Sequence, residues 1–109
     1  MKNSIVTLTV YIDKSDKIHF ADIIKQETVL THDDVRIMLD GYYASRSAEA
    51  LDIFNFIISF TSGVGVSLAA NWIYDKFKPK GKKIKIENQT TFFDQNEIIR
   101  IFKQNIEIE

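Results

Sequence analysis

Apolar and polar residues alternate from Ser4 to Ile12, where isoleucine, valine and leucine are interleaved with threonine. This period of two in a β-branched stretch predicts a strand with at least one buried face, closed by the polar turn Asp13 to Lys17. The stretch has no small-residue cleavage site and is too interrupted by threonine to be a leader core, so the chain is expected to be mature from Met1. Ile18, Phe20, Ile23 and Ile24 fit either a short strand running into a helical turn or an irregular segment. Thr31 with Asp34 three residues on reads as a capped helix start, and Leu30 against Val35 as its hydrophobic staple. A short helix is therefore expected over Val35 to Leu39, ending near Gly41, with Ser45 or Ser47 available to cap the next element.

Ile53 to Tyr74 are 22 residues with neither a charge nor a proline. As one helix they would run about 33 Å, comparable with a hydrocarbon core of ~30 Å. At 100° steps Ile53, Ile57, Phe60, Val64 and Leu68 fall on a bulky side, and Asn55, Ser59, Ser62, Val66 and Ala69 or Ala70 on a small one. Ser59, Gly63 and Ser67 recur every four residues, as do Thr61, Gly65 and Ala69, a pattern that lets a second helix approach closely. Three environments suit such a helix: the core of the protein, a membrane span with Trp72 and Tyr74 at its edge, or a reversible amphipathic insertion. Asn55, Ser59, Thr61, Ser62, Ser67 and Asn71 make an isolated span poorly hydrophobic, so the core reading is preferred. Ser59, Ser62, Gly63, Ser67 and Ala70 are then the candidate interaction residues of the helix's small face.

Six lysines, Lys76, Lys78, Lys80, Lys82, Lys83 and Lys85, follow as a candidate basic patch, with Pro79 and Gly81 between them. They suit a solvated loop that guards a strand edge, or the cytoplasmic flank of a span. Lys83 to Glu87 alternate as a half-exposed strand does, and Asn88-Gln89 offers a tight turn into Thr90 to Phe93, which together predict a β-hairpin. Asp94 with Glu97, flanked by Phe93 and Ile98, predicts a capped helix from Gln95 to about Gln104, burying Ile98, Ile99, Ile101 and Phe102. Ile106 to Glu109 either add a last short strand or fray.

At 109 residues and 45% hydrophobic the chain is expected to be a single domain, residues 1–109, with material for a core. The absence of cysteine excludes a disulfide framework, a thiolate zinc site and a cysteine nucleophile. The net charge of −1 conceals −3 over residues 1–52 and +2 over residues 53–109, and its sign, with no binding motif beside the lysines, argues against nucleic acid as a partner. His32-Asp33-Asp34 and the pair His19 and Asp22 are the only groupings suited to acid–base or metal chemistry. Because Asp33 and Asp34 are already explained by a helix start, no catalytic or metal-binding residue, cofactor or small-molecule substrate is assigned, and the chain is not expected to be an enzyme. Gly63-Val64-Gly65 lacks the third glycine of a dinucleotide fingerprint. Tyr42, Tyr43 and Arg46 form a second candidate interaction corner, since tyrosine and arginine are common interface anchors.

The uncharged helix with small residues, its Asn71-Trp72-Ile73-Tyr74-Asp75-Lys76-Phe77 exit, the basic turn, the Ile84-Lys85-Ile86 strand and the Asp94-to-Ile99 helix start together resemble small bacterial effector-associated components of conflict systems, over residues 53–106. The resemblance implies a non-catalytic partner or adaptor, sometimes membrane-linked, with no active-site residues to carry over.

The expected architecture is α+β: an N-terminal strand, a short helix, a long uncharged central helix, a β-hairpin and a C-terminal helix. The expected function is that of a non-enzymatic interaction or adaptor protein that binds itself as a homo-oligomer, or a larger protein partner. A membrane-embedded or membrane-associating protein is the alternative, and a phage or mobile-element inhibitor or immunity-type protein a further one. The expected location is cytoplasmic, with inner-membrane association as its alternative.

Overall fold

The computed structural model describes residues 4–13, 20–25, 28–44, 51–78, 81–91 and 93–106. The elements in chain order are β1 (Ser4–Ile12), α1 (Ala21–Ile24), β2 (Thr28–Thr31), β3 (Val35–Tyr43), β4 (Asp52–Phe60), α2 (Val64–Phe77), β5 (Gly81–Ile86), β6 (Gln89–Thr91) and α3 (Gln95–Asn105). The strands form one six-stranded sheet in the order β2-β3-β4-β1-β5-β6, every neighbouring pair antiparallel. Because β4 and β5 both run against β1, they run parallel to each other with β1 between them. That connection has to cross the sheet, and α2 makes it.

β1 is the strand its alternation predicts: Val6, Leu8, Val10 and Ile12 are fully buried, while Ile5 and Thr7 are exposed. The segment that reads as one long uncharged helix is instead a strand, a turn and a separate helix. Asp52, Phe54, Phe56, Ile58 and Phe60 are buried and the residues between them are half-buried, a period of two that only a strand produces. In a helix, positions two apart are turned by about 200°, which would scatter these four large side chains around the axis; in β4 they line one face. Thr61, Ser62 and Gly63 make the turn, and α2 then runs for 14 residues, about 21 Å. Among the described residues no helix is long and apolar enough to cross a membrane, which removes the span proposed for residues 53–74. The architecture built on a long central helix is overturned: strands dominate the chain, and the helices lie against their sheet.

The short helix expected over Val35 to Leu39 is also corrected. Val35, Arg36 and Ile37 are buried, exposed and buried along β3, paired with Phe60, Ser59 and Ile58 of β4. Asp34 does not cap a helix but sits in the tight turn joining β2 to β3, where His32 N–H donates to Val35 O at 2.9 Å and Val35 N–H donates to His32 O at 3.3 Å.

One face of the sheet carries the core. Phe54 meets Phe20 of the segment leading into α1 and Phe77 of α2, Phe56 meets Trp72 of α2, and Phe60 meets Phe102 of α3, with ring centroids 5.3 to 6.1 Å apart. α2 contributes Val66, Ala69, Ala70, Ile73 and Phe77 to this layer, and α3 contributes Ile98, Ile101 and Phe102. The start of α3 is as expected: the Asp94 carboxylate accepts from Glu97 N–H at 3.0 Å. The hairpin is also present, one residue earlier than the sequence suggests. Ile86 pairs with Gln89, so the loop is Glu87-Asn88, and Glu87 adopts φ 53. This left-handed residue is fixed from both sides, since its N–H donates to Thr7 O and its carboxylate accepts from Thr7 N–H. Ser45, Ser47 and residues 107–109, on which a cap and a last strand were expected, lie outside the described residues.

Candidate interaction face

The other face of the sheet is lined by the alternate residues of the same strands. β4 contributes Ile53, Asn55, Ile57 and Ser59. Strand pairing arranges them with their neighbours in four rows. Tyr11, Ile53 and Tyr43 form the first, with Lys83 beside Tyr11; Thr9, Asn55 and Gly41 the second, with Lys85 beside Thr9. Thr7, Ile57 and Met38 form the third, and Ile5, Ser59 and Arg36 the fourth. The described helices pack on the opposite face, so no element among the described residues covers these rows.

Several contacts organise this face. The Thr9 hydroxyl donates to the Asn55 amide oxygen at 2.9 Å, a cross-strand bond that satisfies two polar groups within the apolar rows. Lys83 Nζ stands 4.7 Å from the centre of the Tyr11 ring. Tyr43 folds its ring over Gly41: a β-carbon there would come within 2.7 Å of the Tyr43 hydroxyl and 2.9 Å of the ring edge. Glycine is therefore the bed on which this ring lies flat on the sheet. Ile5 at 65% and Tyr43 at 55% are among the most exposed large apolar side chains of the chain.

The remaining polar groupings are absorbed by the fold. The Tyr42 hydroxyl donates to Asp52 Oδ2 at 2.6 Å on the core side, where Asp52 is buried. Burial, and then the adjacent carboxylate, push the Tyr42 phenol up to about 12. The turn His32-Asp33-Asp34 is tied to the turn after β4: Thr61 Oγ1 donates to Asp33 O at 2.7 Å, Thr61 N–H to Asp34 O at 3.0 Å, and the Ser62 hydroxyl to the Asp34 carboxylate. Asp34 N–H donates to His32 Nδ1 at 3.1 Å. Among the described residues no group of three or more histidine, aspartate or glutamate side chains is placed to hold a metal ion, and no pocket is present.

The residues singled out from the sequence are distributed differently from the expectation. Ser59 is on the open face, Ser62 and Gly63 are in the turn after β4, Ser67 is exposed on α2 and Ala70 is fully buried, so the five share no helix face. Tyr42 and Tyr43 point to opposite faces of β3, and Arg46 lies outside the described residues. The lysine run is divided. Lys76 pairs with Asp22 at 3.2 Å, a bond that holds the Asp22 carboxyl below its ordinary range, and Lys78 lies 4.6 Å from the Tyr74 ring centre. Lys83 and Lys85 belong to the open sheet face, whereas Lys80 and the Lys82 side chain are outside the described residues. Ile53, Ile57, Met38, Tyr11 and Thr9, which make the face, are not among the sequence-derived candidates; the period of two in residues 52–60 is the signal that finds them. Comparisons with protein families, curated proteins and solved structures find no match to this chain.

Proposed function

We propose that the protein is a non-enzymatic interaction module that recognises another protein surface through the open face of its sheet. The observation that carries this reading is the outward row structure of β4. A sheet face that meets only water alternates core residues with polar ones, yet the outward positions here include Ile53 and Ile57, flanked by Ile5, Met38, Tyr11 and Tyr43. Apolar and aromatic side chains at the centre with Arg36, Lys83 and Lys85 toward the sides is the composition of a recognition surface.

The same surface suits nucleic acid poorly. Asp40 and Glu87 offset its bases, and Lys83 already lies over the Tyr11 ring where a base would stack.

The chain has no cysteine, so single introduced thiols report on each face. In cells producing the protein at native level, Thr7→Cys on the open face is expected to react with a permeant maleimide more slowly than in the purified protein diluted until it sediments as a monomer. Asn96→Cys, exposed on α3, is expected to react equally in both. Equal reactivity of Thr7→Cys in both settings overturns the reading.

A further inference from the structure

We infer that the occupant of the open face is a second copy of this chain, docked face to face about a two-fold axis that runs parallel to the strands between β1 and β4. The inference rests on the open face being a recognition surface, and it is carried by the pattern of charge across the rows. On the β5 side, successive rows present Lys83, Lys85 and Glu87, plus, plus and minus. On the β3 side they present the flat Tyr43 ring, then Asp40, the exposed and unpaired residue of the bulge beside Gly41, and then Arg36 one row beyond Met38.

A two-fold along the strands exchanges β5 with β3 and β1 with β4 within each row. Lys83 then meets the Tyr43 ring of the second copy, Lys85 meets its Asp40, and Glu87 comes opposite the edge that holds its Met38 and Arg36. Tyr11 covers Ile53, Thr7 covers Ile57, and Thr9 stands opposite Asn55. Lys85 and Asp40 are thereby brought together at both edges of the interface, as a self-complementary surface requires. A two-fold across the strands cannot satisfy both edges together: placed on the Lys85 row it sets Lys83 opposite Glu87 but leaves Lys85 and Asp40 each facing its own copy, and placed on the Met38 row it sets Asp40 opposite Arg36 but leaves Glu87 facing Glu87.

The size also fits. Three nine-residue strands and the six-residue β5, spaced ~4.8 Å with ~3.3 Å per residue, give a projected footprint of about 530 Å². The relief of the side chains brings that footprint close to the ~800 Å² per partner of a standard stable interface. Two sheets packed this way form an aligned sandwich whose second core is built from the outward residues. The net charge of −1 puts little repulsion between copies.

Light scattering and sedimentation of the purified chain are expected to give twice 12.6 kDa at micromolar concentration. Lys85→Asp and Asp40→Lys, each checked for its fold by circular dichroism, are expected to raise the dimer Kd about tenfold or more, because each sets like charges opposite one another. The double variant carrying both changes restores opposite charges and is expected to return to near the wild-type Kd. A monomer of 12.6 kDa at all concentrations, a dimer indifferent to both single changes, or a double variant that fails to recover overturns the inference. A monomer whose Thr7→Cys thiol is nevertheless protected in cells overturns only the second copy as occupant; with that thiol unprotected, the recognition reading falls as well.

Discussion

A β-carbon on Gly65 would stand 2.3 Å from the carbonyl oxygen of Asp34, so the first turn of α2 and the turn between β2 and β3 meet backbone to backbone. The obstructing atom belongs to the main chain and is itself bonded to Thr61 N–H, so it cannot swing aside. Gly65→Ala is expected to destabilise the protein by about 2–3 kcal/mol, the upper part of the usual overpacking range, in chemical denaturation. Gly63, at φ −64 and ψ −24, already has backbone angles that alanine adopts, and Gly63→Ala is expected to stay within about 0.5 kcal/mol. Equal costs at the two glycines would contradict this packing.

The bond between Tyr42 and Asp52 gives the stability a dependence on alkaline pH. The folded protein raises the Tyr42 phenol from 10.0 to about 12, so it holds that proton more tightly than the unfolded chain does. The contribution is complete below pH 10 and is lost as the pH rises through about 12. Tyr42→Phe is expected to cost about 1–3 kcal/mol near neutrality, by removing a donor from a buried carboxylate, and to flatten the decline over this window. Denaturation at several alkaline pH values, with phenolate absorbance followed in parallel, checks both parts.

The cap of α3 is open to a simple substitution. Asp94→Ala removes the acceptor of Glu97 N–H and is expected to lower stability by about 1 kcal/mol, read from the urea midpoint, while Asp94→Asn keeps most of it. Glu97 also pairs with Arg100, which holds its carboxyl below the ordinary range. That pairing adds stability above the ordinary carboxylate pKa and loses it as the pH falls through the depressed folded value. Glu97→Gln should therefore reduce the sensitivity to acid.

Gly41→Ala separates the shape of the open face from the stability of the fold. The new β-carbon meets only the far end of the Tyr43 side chain, which can rotate away, so stability is expected to change by less than about 1 kcal/mol. The displaced ring no longer lies flat, and dimer formation is expected to weaken. A variant that dimerises as the wild type does would show that the ring's attitude is irrelevant.

Legibility in the sequence followed the range of the interactions. β1 and the start of α3 are written locally, the one in threonine alternation and the other in the spacing of Asp94 and Glu97. The turn at Asp34 misleads because threonine followed by aspartate suits a helix cap and a β-turn equally. The exposed Arg36 between buried Val35 and Ile37 is the local sign of a strand. From Ile53 to Tyr74 a period of two runs directly into a helix, and because no charge marks either solvent side, the join at Thr61 to Gly63 disappears into one uncharged stretch. The open face is the least legible feature. Its rows join residues 5–11, 36–43, 53–59 and 83–85, and nothing short-range sets that register.

The position of β1 has a consequence for how the chain is made. Thr7 pairs opposite Ile57, and β1's other neighbour, β5, begins only at Gly81. At synthesis rates of roughly 5–20 residues per second, β1 waits seconds on the ribosome with both hydrogen-bonding edges unoccupied. Pairings this distant also close slowly once the chain is free. During that interval Val6, Leu8, Val10 and Ile12 are the strand that chaperones and neighbouring nascent chains would find, and the threonines between them are what keeps it hydrated until β4 arrives.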